Sequence, residues 1–143
     1  MSDIADLVGV ELGPTEWREV SQEQIDAFAA ATDDPQWIHT DPVRAGEGPF
    51  GTTIAHGFLT LSLCVPMLSD VLPPAGGMVV NYGVDRVRFP APVLSGSRIR
   101  GRFRIASVEE TPHGERAVIE ANVESEGVLK PVCVAELVVL TVP

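Results

Sequence analysis

A carboxylate and an imidazole five residues apart, Asp34 and His39, are the first candidates for chemistry in this chain. On an unbroken helix this spacing rotates the two side chains about 140° apart, and on a strand it points them to opposite faces. They converge only if the backbone turns between them, and Pro35 allows such a turn. A converged pair suits general acid-base chemistry near neutral pH. The alternative is a helix-end cap at Asp34 and a loop histidine bonded to backbone.

A second candidate is the pair His56-Gly57, which stands at the start of an apolar run. Free N–H groups at a helix start, together with the positive end of the helix dipole, stabilise an anionic oxygen. Glycine also lets a substrate approach the backbone closely. The alternative is a tight turn into the helix with no chemical role.

The apolar run extends from Ile54 to Leu72 and carries no formal charge before Asp70. A helix without a polar face must be surrounded by protein, so we expect a buried central helix from about Gly57 to Leu72. Pro66 removes a backbone donor and predicts a kink there, or a break into two shorter helices. A membrane span needs about 20 apolar residues without strong interruption, so we expect none here.

A shorter amphipathic helix is predicted upstream, from about Gln22 to Thr32. Ser21 and Gln24 resemble a capping pair, and apolar residues recur at helical spacing behind them. The helix should stop near Asp34, because proline disfavours a helical residue before it. Residues 34–53 have no sustained period and predict a long, packed loop.

Beyond the central helix the apolar period changes to two, which indicates strands. The first should contain a bulge near Asp85, where its apolar phase slips, and should end at Pro90. The next two form a hairpin through a turn at residues 111–114. Pairing in which residue numbers sum to 224 or 226 sets a row of arginines opposite glutamates, which favours cross-strand ion pairs over a phosphate site. The last strand, Val132 to Val142, is apolar on both faces and should be central or covered.

Together these elements predict an α+β fold in which an antiparallel sheet wraps around a long central helix. The 143 residues suit a single domain, 1–143, and the formal net charge of −10 argues against nucleic acid. Two cysteines, Cys64 and Cys133, have no metal-site spacing and are expected to be core residues in a reducing compartment. The amino terminus has no signal-peptide pattern, so a cytoplasmic protein is expected. No metal or cofactor is expected either.

Three segments resemble a known family. ATDDPQWIHTD followed by GPFGTTIAHGFLTLSL resembles the MaoC-like (R)-specific enoyl-CoA hydratases and dehydratases, and the resemblance continues into GVDRVRFPAPVLSGSRIRG. It implies a hot-dog fold, with the sheet wrapped around one long helix, in a homodimer whose two sheets join. The family's aspartate, histidine and oxyanion-binding N–H fall on Asp34, His39 and Gly57. The chain departs from the pattern at Asp33, where many members have glycine, and at Gln36-Trp37, where many have Asn-Pro.

The resemblance implies a hydro-lyase that adds water to a trans-2-enoyl thioester, or removes it from an (R)-3-hydroxyacyl thioester. His39 with Asp34 would activate the water, and the Gly57 N–H would stabilise the thioester oxygen. The substrate would be carried on CoA or on an acyl carrier protein. Acyl length, carrier and physiological direction stay open at this stage.

Binding an anionic carrier is unexpected for so acidic a chain, so local basic residues must contribute. Arg44, Arg86 and Arg88 flank the candidate site in the sequence, although each is also explained as a surface arginine. Two other functions remain open: an acyl-CoA thioesterase, and a non-catalytic thioester-binding subunit of a larger dehydratase. A thioesterase on this fold would place a carboxylate on the central helix, and Gly57 to Ser69 contains none.

Overall fold

The structure is a computed structural model that describes residues 4–143. A short 3-10 helix, Ala5–Leu7, precedes the other elements. The helices are α1 (Gln22–Thr32), α2 (Trp37–Thr40), α3 (Pro42–Gly46) and α4 (Gly57–Val71). The strands are β1 (Glu11–Leu12), β2 (Arg18–Glu19), β3 (Met78–Arg88), β4 (Arg98–Thr111), β5 (Gly114–Ser125) and β6 (Cys133–Val142).

The six strands of residues 4–143 form one antiparallel sheet in the order β1-β4-β5-β6-β3. Both β1 and β2 pair with β4, each along its own part of that strand. At the opposite edge lies β3, with β6 between it and β5. The central position predicted for the last strand is therefore confirmed.

The β4–β5 hairpin follows the register read from the sequence. Pairs from Ile99↔Ser125 to Ile105↔Ile119 have residue numbers that sum to 224, and the register shifts by one after Ile105. Arg98 donates to Glu126 at 2.6 Å, and the neighbouring arginine, Arg100, pairs with Glu124. Three arginines of the row, Arg98, Arg100 and Arg102, thus form cross-strand ion pairs, as predicted.

The core lies between the inner face of the sheet and α4. Buried side chains of α4, including Leu63 and Met67, belong to one cluster with Phe103 of β4 and Ile119 of β5. Close contact with β4 depends on Gly101, since a Cβ there would lie 2.7 Å from the Phe103 ring and 3.6 Å from the Met67 sulfur. This arrangement confirms the expectation of a sheet wrapped around a central helix.

Two expectations about α4 need correction. Of the kink or break predicted at Pro66, the break is wrong, because one helix runs from Gly57 to Val71. Pro66 has no N–H to donate to the carbonyl of Ser62, four residues earlier. Ser62 is exposed, so water can donate to that carbonyl instead. Nor is the helix surrounded, because the sheet covers one side and leaves Phe58 70% and Val65 41% exposed.

The region before α4 departs from the predicted loop. Helix α1 has the predicted bounds, and the Ser21 hydroxyl accepts from the Gln24 N–H at 3.1 Å. Residues 34–53, however, contain α2 and α3, whose four and five residues are too few to show a helical period. The Asp41 carboxylate caps α3 by accepting from the Arg44 N–H at 3.1 Å.

Strand β3 contains the bulge predicted near Asp85. Its pairing with β6 shifts between Asp85 and Arg88, and Arg86 has a left-handed φ of 52°. A second shift, between Asn81 and Gly83, was not predicted. No helix within residues 4–143 combines the length and the apolar character needed to cross a bilayer.

Candidate active site

The chain reverses after α1 and brings Asp34 and His39 together. Asp33 ends the helix in the left-handed region with φ 55°, and the Asp34 N–H bonds the Ala29 carbonyl at 3.0 Å. Pro35 then leads into α2, which carries His39. One carboxylate oxygen of Asp34 and one ring nitrogen each of His39 and His56 all lie within 4.8 Å of one another. The turn that the spacing required is present.

His39 is buried and held from several sides. Its Nδ1 lies 2.7 Å from the Ile54 carbonyl oxygen, and because that oxygen only accepts, Nδ1 carries the proton. The Gln22 side chain of α1 donates to the His39 carbonyl at 2.7 Å, and its amide oxygen accepts from Thr53. His39 Nε2 is therefore left with its lone pair, which is the form a general base needs.

Asp34 has a different environment. Its side chain is 54% exposed, and within residues 4–143 its carboxylate accepts no hydrogen bond. The basic side chain near it is His56, whose Nε2 lies 3.9 Å from Asp34 Oδ2. The carboxylate can therefore accept a hydrogen bond from water beside His39.

His56 is the residue of this cluster whose part the sequence reasoning missed, since it was treated only as the start of a helix. Its Nε2 donates to the Asp34 backbone carbonyl at 3.0 Å. Its ring stacks on that of His39, with centroids 3.7 Å apart and planes at 21°. The Phe28 ring packs against it at a tilt of 54°, with centroids 4.9 Å apart. The signal that could have found it is a second histidine directly before the glycine that opens the central helix.

Gly57 is the first residue of α4, directly after His56. Within residues 4–143 its N–H donates to no other group, as expected for the first turn of a helix. A Cβ at this position would lie 2.8 Å from two carbons of the Phe89 ring. A cavity of about 270 Å³, bordered by Gly57, Thr60, Phe89 and Val132, opens beside it. Gly57 therefore combines a free N–H with a position at the wall of a cavity.

The three clustered side chains do not have the geometry of a metal site. Both imidazoles already bind backbone carbonyls, through His39 Nδ1 and His56 Nε2. Because the rings are stacked with their planes 21° apart, their lone pairs lie in two nearly parallel planes, whereas the ligands of one metal ion point to a common centre. The arrangement favours acid-base chemistry over metal ligation.

Each of the three candidate arginines has contacts outside the cluster of Asp34 and His39. The Arg44 guanidinium lies 4.4 Å from the centre of the Trp37 ring. Arg86 is paired with Glu136 at 3.7 Å on the sheet, whereas Arg88 donates to the Val87 carbonyl at 2.7 Å. Within the described residues, no ion pair or hydrogen bond links any of them to Asp34, His39 or Gly57.

Known proteins resemble this chain along nearly its whole length. The family profile for the MaoC like domain matches residues 3–128. The chain is 46% identical over 142 residues to 3-hydroxyacyl-thioester dehydratase Z of Mycobacterium tuberculosis, which spans 97% of this chain and 93% of that protein. It is 51% identical over 112 residues to nodulation protein N of Rhizobium leguminosarum bv. viciae, across 76% of this chain and 70% of that protein.

The solved structures agree with the sequence relatives. The (R)-hydratase from Aeromonas caviae, described as involved in PHA biosynthesis, superposes with a TM-score of 0.78 at 25% identity. The superposition covers 95% of this chain and 96% of that one. The chain therefore has the hot-dog fold and belongs to the MaoC-like domain family.

Proposed function

We infer that this chain is a hydro-lyase that reversibly hydrates a 2-enoyl thioester to the (R)-3-hydroxyacyl thioester. The observation that carries the proposal is the convergence of Asp34 with His39, a histidine whose Nε2 keeps its lone pair, close to the start of α4. Similarity to a 3-hydroxyacyl-thioester dehydratase and to an (R)-hydratase supports the same reaction.

The residues divide the work of hydration as follows. His39 Nε2 accepts a proton from a water that the Asp34 carboxylate holds, and the water oxygen bonds to C3. The C2–C3 electrons move into the thioester carbonyl, whose oxygen becomes an enolate bound by the Gly57 N–H. One such donor typically contributes about 2.7–4 kcal/mol to lowering the barrier. Return of the proton to C2 completes the addition of one water, and dehydration is the reverse.

An apolar cavity supplies a place for the acyl chain. It has a volume of about 490 Å³ and lies between the second half of α4 and the β3–β6 edge of the sheet, bordered by Val65, Leu68, Val79 and Leu137. Val65 is eight residues from Gly57, or about 12 Å along the helix. We propose that the acyl chain runs along the exposed face of α4 into this cavity, so that chains longer than crotonyl bind more tightly.

A ladder of 2-enoyl-CoA substrates of increasing chain length tests both the reaction and the cavity. We expect loss of the enoyl absorbance with every member that binds, and a KM that falls from the four-carbon substrate upward. Val65→Trp should abolish that fall while leaving crotonyl-CoA hydration intact. No hydration at any chain length would refute the proposed reaction.

The thioesterase alternative has less support. Its carboxylate on the central helix is represented only by Asp70 in the last turn of α4, where it pairs with Arg18 at 3.8 Å. Thirteen residues separate Asp70 from Gly57, which is about 20 Å along the helix. Free CoA measured with a thiol reagent separates the two reactions, because hydration releases none.

Arg44 and Arg88 are proposed to bind the phosphates of the carrier. Neither is in an ion pair within residues 4–143, whereas Arg86 is paired with Glu136. Arg88 also directly precedes Phe89, the ring that contacts Gly57. We expect CoA binding to weaken with added salt, and to weaken in Arg44→Ala and Arg88→Ala. Arg104→Ala, which removes the same charge from the exposed face of β4, is the matched control.

The edge strand β3 is the proposed homodimer contact. It has 11 residues and, among the described strands, pairs only with β6. Tyr82 is 65% exposed, and Val79, Val80 and Val84 beside it are exposed as well. A long apolar edge favours pairing with another strand. We propose that two copies join their sheets along β3 and that each copy, residues 1–143, acts as one domain.

Sedimentation or light scattering of the wild type and of Tyr82→Lys tests this assembly. We expect a dimer in the first and a weakened dimer in the second. An inactive homodimer that gains activity with a second protein would instead support the non-catalytic subunit. Two unpaired cysteines buried in the core suit the reducing cytoplasm as the proposed location.

A further inference from the structure

His56 has two contacts that a plain helix start does not need. Its Nε2–H bonds the carbonyl of Asp34, and its ring lies flat against the ring of His39. Both contacts go to residues that are distant in sequence: Asp34 lies 22 positions and His39 lies 17 positions earlier in the chain. The side chain is only 3% exposed, so the contacts are made away from solvent.

Holding an imidazole here also has a cost. His56 Nδ1 is buried and has no hydrogen-bond partner within the described residues. An unsatisfied buried acceptor destabilises a fold, and a phenyl ring in the same place would avoid that loss. The Nε2–H and the stacking face are therefore the features that distinguish histidine from an apolar residue at this position.

We infer that His56 is a positioning residue of this site, which fixes the backbone of Asp34 through its Nε2–H and the plane of the His39 ring through stacking. The inference rests on the proposed function, because it assigns His56 a part in the work of Asp34 and His39.

The two contacts restrain different motions. The Ile54 carbonyl fixes one edge of the His39 ring but leaves it free to rotate about that hydrogen bond. The His56 ring closes one face of His39, and Phe28 supports His56 from a second direction. The Nε2–H bond ties the end of α1 to the start of α4, so the Asp34 carboxylate keeps its distance from the first N–H of α4. Such restraint lowers the barrier without touching the substrate.

Three substitutions separate the contacts. His56→Phe keeps a ring against His39 and removes the N–H, His56→Gln keeps an N–H of similar reach and removes the ring, and His56→Ala removes both. The chain contains three histidines, and the third, His113, is exposed in the β4–β5 turn. His113→Gln is therefore the matched control and also identifies the remaining ring signals.

Steady-state hydration of crotonyl-CoA gives the first measurement. We expect His56→Ala to lower kcat at least tenfold while KM stays within threefold, because His56 does not contact the substrate. His56→Phe and His56→Gln should each lose less than His56→Ala, and His113→Gln should match the wild type.

Long-range ¹⁵N–¹H NMR of the histidine rings gives the second measurement. In the wild type we expect His39 protonated on Nδ1 and bare on Nε2. His56→Phe should retain that pattern, whereas His56→Ala and His56→Gln should move it towards the average of the two tautomers. This measurement needs no turnover, so it tests the positioning of His39 even if the wild type hydrated no enoyl-CoA, a result that would refute the proposed function.

Two results would overturn the inference. The first is a folded His56→Ala with kcat within twofold of the wild type. The second is an equal loss of kcat in all three variants with an unchanged His39 spectrum. If His56→Ala does not fold, the Phe and Gln variants decide the question, and wild-type kcat in both would overturn it because each breaks one contact.

Discussion

Asp34→Asn exchanges a carboxylate oxygen for an amide and removes one charge with almost no change in volume. The proposed mechanism assigns this carboxylate to holding the attacking water, and loss of a positioned acid-base group costs about 10²- to 10⁴-fold in rate. We therefore expect kcat for crotonyl-CoA hydration to fall by that factor, which corresponds to about 2.7–5.5 kcal/mol in the barrier.

Stability should barely change. The Asp34 side chain is 54% exposed, and its carboxylate Oδ2 is 3.9 Å from His56 Nε2. A pair this exposed contributes at most about 1 kcal/mol. The backbone bonds that hold the turn, from the Asp34 N–H and to the Asp34 carbonyl, are unaffected by the substitution. We expect an unchanged circular dichroism spectrum and a free energy of unfolding within about 1 kcal/mol of the wild type.

Asp33→Asn is the matched control, since it makes the same change of charge one residue earlier. Asp33 sits in the left-handed region, which asparagine also tolerates. Its activity and stability should match the wild type. Equal loss of activity in both variants would show that the charge at the helix end matters and not the Asp34 carboxylate, and wild-type kcat in Asp34→Asn would remove that residue from the mechanism.

Three further predictions follow from local geometry. Gly57→Ala would bring a Cβ to 2.8 Å from the Phe89 ring, so we expect a loss of about 1–3 kcal/mol in stability and a lower kcat. Stability should recover in the double variant Gly57→Ala/Phe89→Leu. Denaturant unfolding and hydration rates measure the two effects, and a single variant with unchanged stability would contradict the close contact. Asp33→Gly should raise Tm by a few degrees and leave kcat unchanged, because glycine adopts φ 55° without strain. A lower Tm in thermal unfolding would show that Asp33 carries no backbone strain. The hydrogen bond with Cys133 and burial together raise the pKa of Cys64, so its thiolate is scarce, and neither Cys64 nor Cys133 has exposed surface. Neither cysteine should therefore react with a thiol reagent at pH 8 in the folded protein, and both should react after denaturation. Rapid reaction of the native protein would refute this.

Periodicity and capping accounted for the long elements of the fold. The bounds of α1, the hairpin register and the place of β6 all follow from side-chain patterns that extend over eight residues or more. Helices α2 and α3 could not be found in this way, because a single turn of helix shows no repeat. The open face of α4 was also missed, since an apolar helix surface does not reveal whether its own chain or another covers it.

The candidate site was predictable in part. Spacing and Pro35 indicated that Asp34 and His39 could meet only across a turn, and that turn is present. The stacking of His56 on His39 depends on a tertiary contact between α2 and the residue before α4, for which a sequence offers no local signal. The left-handed backbone of Asp33, with φ 55°, was not predicted either, because the residue type alone gives no sign of it.

The contact between Phe89 and Gly57 connects the proposed dimer strand, β3, with the start of the central helix, α4. Phe89 directly follows β3, so the outer strand of the sheet and the first N–H of the central helix share one aromatic neighbour. If copies associate through that strand, catalytic competence becomes a property of the assembled pair, and specific activity should decline on dilution once protomers separate.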